Sequence, residues 1–369
     1  MFKGKILKIK WLTAAFISIV CGITYTALAN NVKSLPRWQT YEMQGQPSLR
    51  GSAIIGQSMW VTGSNNGVFV SQDMGKTWEN KSIKSPVITD FRDIELFDKN
   101  TAIVMGVGSG EQSMLYKTID GGDSWHLLYK NQDAEGFFDS IAFWDKQTGL
   151  LLGDPVDGYY VVKKTQDGGK TWRRIEQKKL PKILEKEAAF AASGNTLIVG
   201  DNGKAWLTTG GFSASVYTSE DFGESWQRHS VPLFQQTQTA GGYGLGLNHL
   251  QQPFVLGGDY QQRPAKYPNI ATFVNEQWLS VDAGERGLRT AMACQHSVCI
   301  ATGKTNSDIS FDAGQTWQLL PFEKFNKEVS NDPKVEAQKN DQGFYTLAAD
   351  DGVFIGAGIN GKVGVLSLK

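Results

Sequence analysis

One eight-residue pattern recurs five times along this chain and restricts its fold more than any other feature. It reads Ser/Thr-x-Asp-x-Gly-x-Ser/Thr-Trp, and its first copy is Ser71-Gln-Asp73-Met-Gly75-Lys-Thr77-Trp78. The other copies are centred on Asp120, Asp167, Asp221 and Asp312. The aspartates fall 47, 47, 54 and 91 residues apart, so the last gap holds two periods. A degenerate copy, Thr272-Phe-Val-Asn-Glu-Gln-Trp278, fits inside that gap. Each position has a physical task. The Asp carboxylate accepts N–H groups of its own turn. The Gly two residues later supplies positive φ, and the hydroxyls close local bonds. The Trp opens the next strand and buries a large ring. The pattern is therefore a hairpin turn with a packing anchor, and these five aspartates are expected to be structural.

Short alternating apolar runs precede each turn, as in Thr101-Ala-Ile-Val-Met105 and Met114-Leu-Tyr-Lys-Thr118. Together they make four strands per period, the content of a propeller blade. A β-solenoid is the alternative, but its repeats are shorter. The blade-closing tryptophans are Trp38, Trp78, Trp125, Trp172, Trp226, Trp278 and Trp317, which gives seven blades. Trp38 has no blade before it, and the last repeat, Phe344 to Lys369, has three strands. The expected fold is all-β, a seven-bladed β-propeller whose N-terminal strand completes the last blade and leaves no free edge. The pattern resembles the Asp-box, or bacterial neuraminidase, repeat over nearly the whole chain.

Residues 1–29 read as an export signal and residues 30–369 as the propeller. Lys3, Lys5, Lys8 and Lys10 form a basic start, an uncharged stretch follows, and Ala27-Leu28-Ala29 offers a small-residue cleavage site. An uncleaved inner-membrane anchor is the alternative. The expected location is periplasmic or secreted. Cleavage removes Cys21 and leaves Cys294 and Cys299, spaced as cross-strand neighbours around a tight turn. An oxidising compartment favours a disulfide there over two free thiols. Lys+Arg and Asp+Glu both number 37, so nothing suggests a nucleic-acid partner. No metal-ligand cluster, nucleophile elbow or phosphate loop is present, and no cofactor is expected.

Meander topology sorts the loops. With strands A to D running outward from the axis, the Asp turns (C to D) share one face with the A–B turns. The other face carries the entries into strand A and the B–C loops, and propellers bind across such a mouth. The entries place Arg50, Arg92, Asp139, Glu187, Tyr243, Arg289 and Tyr345 there. The B–C loops add Asp154, Asp157, Asp259, Tyr260, Arg263 and Lys304. Arg50, Arg92 and Arg289 hold equivalent blade positions and could converge on a carboxylate. A mutually neutralising, solvated rim is the alternative. Gln177 to Ala188, with room for a short helix, and Glu323 to Asp341 read as insertions between blades.

Phe91-Arg-Asp-Ile-Glu95, Gly153-Asp-Pro-Val-Asp-Gly158, Glu187-Ala-Ala-Phe-Ala-Ala-Ser193, Gly257-Gly-Asp-Tyr260 and Gly287-Leu-Arg-Thr-Ala291 carry a further likeness. They are similar to an exported bacterial Asp-box family that itself resembles the photosystem II stability/assembly factors. That resemblance implies a seven-bladed propeller that holds a membrane-subunit precursor through an arginine-rich patch. Arg50, Arg92 and Arg289 are the matching positions. It implies a non-catalytic scaffold, monomeric, with a protein client at the membrane surface. Two other functions use the same residues. A sialidase-type glycoside hydrolase needs three arginines, a Tyr–Glu pair and an acid, which Arg50, Arg92, Arg289, Tyr345, Glu187 and Asp154 would supply. Sialidase propellers, however, have six blades. A small-anion-binding propeller needs the arginines alone.

Overall fold

The computed structural model describes residues 35–191, 193–263, 265–284, 287–322 and 343–369. The export-signal reading, Cys21 and the insertion Glu323 to Asp341 lie outside them. Among the described residues no helix is long and apolar enough to cross a membrane.

Seven antiparallel four-stranded sheets make up the fold. Blade 1 runs Leu49–Ile55, Ser58–Gly63, Gly67–Ser71 and Glu79–Asn80 as strands A to D. Blade 2 begins at Asp90–Leu96, blade 3 at Phe138–Phe143 and blade 4 at Leu197–Val199. Blades 5, 6 and 7 begin at Ala240–Leu247, Ala291–Gln295 and Thr346–Asp350. The seven-bladed β-propeller expected from the repeats is the observed architecture. The N-terminal strand, Gln39–Glu42, pairs antiparallel with Lys362–Ser367 as strand D of blade 7. Ser52 and Thr346 join blades 1 and 7 through their hydroxyls at 3.0 Å.

The core lies between blades rather than within one layer. Leu49, Met59, Val61 and Phe69 of blade 1 pack on Val353, Ile355 and Val363 of blade 7. Trp60, Val68 and Val70 pack on Phe91, Ile94 and Val104 of blade 2 in the same way. Both faces of the inner strands are thus buried, which is why strands B and C read as continuous apolar runs.

The five Asp turns are built alike. In the first, Asp73 accepts the Thr77 N–H at 2.9 Å and the Thr77 hydroxyl at 2.7 Å, and Ser71 donates to it at 2.8 Å. The Ser71 hydroxyl oxygen also accepts the Gly75 N–H. Equivalent bonds surround Asp120, Asp167, Asp221 and Asp312. The Ser or Thr four residues on, through its N–H and hydroxyl, holds Asp73, Asp120 and Asp167 down to about 2. Each turn is tied to the A–B turn of its own blade, as Met74 N–H to the Gln57 carbonyl at 3.1 Å and Ala313 N–H to the Ser297 carbonyl at 2.7 Å. The two turn sets therefore share a face, as the meander requires.

Cys294 and Cys299 stand directly opposite in the A–B hairpin of blade 6 and form a disulfide. Between blades 3 and 4 the helical parts are two 3-10 turns, Gln177–Lys179 and Gly194–Thr196.

Candidate functional site

The mouth opposite the Asp turns owes its side chains to a repeated backbone irregularity. Strand A of blades 1, 2, 3 and 5 shifts register at its entry. The extra residues are Arg50, Arg92, Asp139 and Tyr243. A bulge leaves one residue unpaired and re-aims its side chain. The same device in four blades delivers two arginines, an acid and a phenol to one end of the molecule.

The axial channel is closed at this end by the blade 3–4 insertion. The Gly194 carbonyl accepts the Ser140 hydroxyl of blade 3 at 2.8 Å. Asn195 Nδ2 donates at 3.1 Å to both the Thr290 carbonyl, before blade 6, and the Tyr345 carbonyl, before blade 7. Arg92 of blade 2 donates to the Ala191 carbonyl. One segment bonded to blades 2, 3, 6 and 7 must cross the axis. Gly194 is required there, because a Cβ would lie 1.9 Å from Asp93 Cγ. The Asp93 carboxylate accepts the Ile94 and Ile141 N–H groups, both at 2.8 Å, and the Ser140 hydroxyl at 3.0 Å. Phe190 stacks on Tyr243, with centroids 4.4 Å apart.

Over this plug the charges separate into two zones. In the cationic zone the Arg50 guanidinium lies 4.3 Å above the Tyr345 ring and Lys304 Nζ lies 4.8 Å from the same ring. Arg92 pairs with Asp90 at 2.8 Å. Burial, aided by the Arg92 charge, lowers Arg50 from its ordinary value; an arginine stays charged regardless. In the acidic zone burial pushes the Asp139 carboxyl well above the usual range, and Asp154 adds to the shift while Arg92 opposes it. Burial also raises Asp154. Asp139 is 1% exposed, and its Oδ2 has no hydrogen-bond partner among the described residues.

Of the residues expected at the mouth, Tyr243 and Tyr345 are buried as Asp139 is, and three more are bonded away from it. Arg289 is 0% exposed, with Nε 2.9 Å from Asp308 Oδ2 of strand C in its own blade, and Nη1 donating to the Leu288 carbonyl. Arg289 is therefore removed from the expected convergence, because it serves a buried ion pair. Glu187 is 4% exposed and accepts the Leu184 N–H, the Tyr217 hydroxyl and the Thr209 hydroxyl. It sews the insertion to blade 4. Asp259 is 0% exposed and accepts the Thr237 and Thr239 hydroxyls and the Gln261 N–H. It fixes the B–C loop of blade 5. Asp157 is the exposed first residue of the two-residue Asp157-Gly158 turn, and Tyr260 is exposed on its loop. The Arg263 carbonyl accepts the Leu288 N–H at 3.0 Å.

No protein-family model matches the chain, and neither does any curated protein. Solved structures do match. The one described as YCF48 bound to D1 peptide aligns with TM-score 0.63 at 16% identity, over 91% of this chain and 100% of that one. YCF48 from Cyanidioschyzon merolae aligns with TM-score 0.61 at 13% identity, over 90% and 99%. A GH74 xyloglucanase from Xanthomonas campestris gives 0.58 at 14% identity; it covers 89% of this chain but 53% of the enzyme. At such identities the likeness establishes the propeller fold and leaves activity to the site.

Proposed function

We propose that this chain is a non-catalytic scaffold that holds an extended stretch of a protein client across the Arg50–Arg92 mouth. The observation that carries this reading is the closure of the channel by Ala191 and by residues 193–195, with Arg50 and Lys304 mounted on Tyr345 at that end. A plugged mouth offers main chain and fixed charge instead of a tunnel, and cations beside an acidic zone suit electrostatically steered contacts. The whole-length likeness to a propeller described with a bound peptide supports the same reading. The exported location and the cleaved signal belong to this proposal, as do the monomeric state and a client at the membrane surface.

A glycoside hydrolase is the second reading. It is favoured by two carboxyls raised by burial, Asp139 and Asp154, with Asp154 adding to the Asp139 shift, and by the fold shared with a xyloglucanase. Such enzymes flank the scissile bond with two carboxyls. Asp139 is enclosed too deeply to reach a sugar without displacement of the plug.

The test is cross-linking in intact cells expressing the tagged protein, with captured proteins identified by mass spectrometry. Arg50→Ala/Arg92→Ala is expected to stay folded by circular dichroism and lose the specific client. Equal capture by both proteins overturns the site. Release of reducing sugar from a glycan, abolished by Asp154→Asn, overturns the non-catalytic reading.

A further inference from the structure

The decayed fifth turn leaves a cleft on the other face of the molecule. In blades 2, 3, 4 and 6 the turn glycine presses on strand B of the preceding blade. A Cβ added to Gly122 would meet Trp60, one on Gly169 Ile103, one on Gly223 Leu150 and one on Gly314 Phe254. The equivalent strand B residue of blade 4 is Trp206. Blade 5 sends no such turn onto it, because Phe273 pairs with Trp278 through the two-residue turn Asn275-Glu276, with φ of 48° and 62°. That is the geometry of a type I′ hairpin. A cleft of about 560 Å³ lies there between blades 4 and 5, lined by Trp206, Phe273, Trp278, His229, Gln251 and Glu220 among others.

A second observation marks the same place. In blades 1, 3, 4 and 6 the blade-closing Trp donates its indole N–H to the carbonyl of its own turn glycine, at 2.9–3.1 Å. Trp125 donates instead to the Lys81 carbonyl. The indole N–H groups of Trp38 and Trp278, the two without an Asp turn, are buried and have no partner among the described residues. A buried donor without an acceptor is costly and uncommon.

We infer that the blade 4–5 cleft is a saccharide-binding site that takes one or two pyranose rings. The cleft has the size and mixed lining of a small-ligand site. Phe273 and Trp278 lie 5.5 Å apart with planes inclined at 53°, and His229 flanks Phe273 at 6.5 Å. Such ring faces suit the C–H face of a sugar. The amides of Gln251 and Gln252 and the exposed carboxylate of Glu220 suit its hydroxyls. A phosphorylated ligand is disfavoured, since Lys204 is the one Lys or Arg on the lining and Glu220 and Asp221 stand beside it. A purely apolar ligand would strand the amides and the carboxylate. The site lies on the face opposite the Arg50 mouth and does not depend on the scaffold reading.

Calorimetric titration with maltose, cellobiose and chitobiose, each up to about 10 mM, tests the assignment. At least one disaccharide is expected to bind with saturation. Trp278→Phe trades the indole beside the cleft for a smaller ring, and is expected to weaken binding about 3- to 10-fold without loss of the fold. Phe273→Ala should weaken it further. Because Phe273→Ala opens the packing around it, His229→Ala is the rim control, with the fold checked by circular dichroism. No heat with any of the three sugars overturns the inference. So does binding that all three variants leave unchanged.

Discussion

Blades 5 and 6 are neighbours in the ring and are fastened by different means. Blade 6 carries an Asp turn on Asp312, a disulfide across its A–B hairpin and a buried Arg289–Asp308 pair. Blade 5 carries none of these; its C–D connection is two residues and its entry phenol, Tyr243, donates to the Thr239 carbonyl at 2.6 Å. Yet both keep four strands and a closing Trp in the same register. The Asp turn is therefore not what makes a blade. In four of the five blades that have it, it satisfies the indole N–H, and it fills the gap to the blade before it; the fold survives its loss at the cost of an orphan donor and a cleft.

The comparison can be broken most forcefully at the strand A entries. Arg289→Ala leaves Asp308 as a buried charge without its guanidinium, and truncating such a pair costs about 3–5 kcal/mol. The matching change in blade 5, Tyr243→Phe, removes one neutral hydrogen bond and should cost about 1 kcal/mol. Urea unfolding of both variants measures the difference, and equal losses would mean that the ion pair is not what holds blade 6.

Acid sharpens the contrast at the turns. The turn aspartates titrate near 3.9 when unfolded, and three of them near 2 when folded. Their folded values are depressed, so their contribution is complete above about pH 5 and is lost as pH falls through 4 towards 2. Asp93, pushed up to about 7 chiefly by burial, acts in the opposite sense. Its contribution is present at low pH and is lost as pH rises through 7. The urea midpoint should therefore fall on both sides of mildly acidic pH. Asp120→Asn should flatten the acid side, whereas Asn275→Asp should leave it unchanged, since blade 5 lacks the surrounding donors. An effect between those of Arg289→Ala and Tyr243→Phe is expected from the disulfide. Cys294→Ser/Cys299→Ser opens a very short loop and should cost about 2 kcal/mol in the chain-entropy model, read as a lowered melting temperature.

The ring was legible because its signals are local. A turn, its hydroxyls and the following Trp lie within eight residues, and counting the tryptophans needs no register. Thr272 to Trp278 could be placed as the worn copy for the same reason, and the opposed cysteines followed from a hairpin alone. The mouth was less legible because its chemistry is set by residues far apart in sequence. Arg289 read as a rim cation; its partner, Asp308, sits across the sheet and is visible only once strands are paired. Glu187 and Asp259 read as ligands because hydroxyls of Thr209, Tyr217, Thr237 and Thr239 do not announce that they converge. The insertion after blade 3 read as ending at Ala188, short of the residues that cross the axis. The Ser193-Gly-Asn195 run is polar because it replaces solvent for the carbonyls of Thr290 and Tyr345, and polarity alone does not distinguish that role from solvation.

The pairing of Gln39 with Val365 also sets a timetable. Blades 1 to 6 are each contiguous in the chain and can dock in the order of synthesis. Blade 7 waits for a strand made first and used last. Closing so long a loop is slow, because non-local contacts are rewarded only after their entropy has been spent. Until then the Lys362–Ser367 strand presents an open edge, and that interval is when the nascent molecule is most exposed to mispairing with another copy of itself.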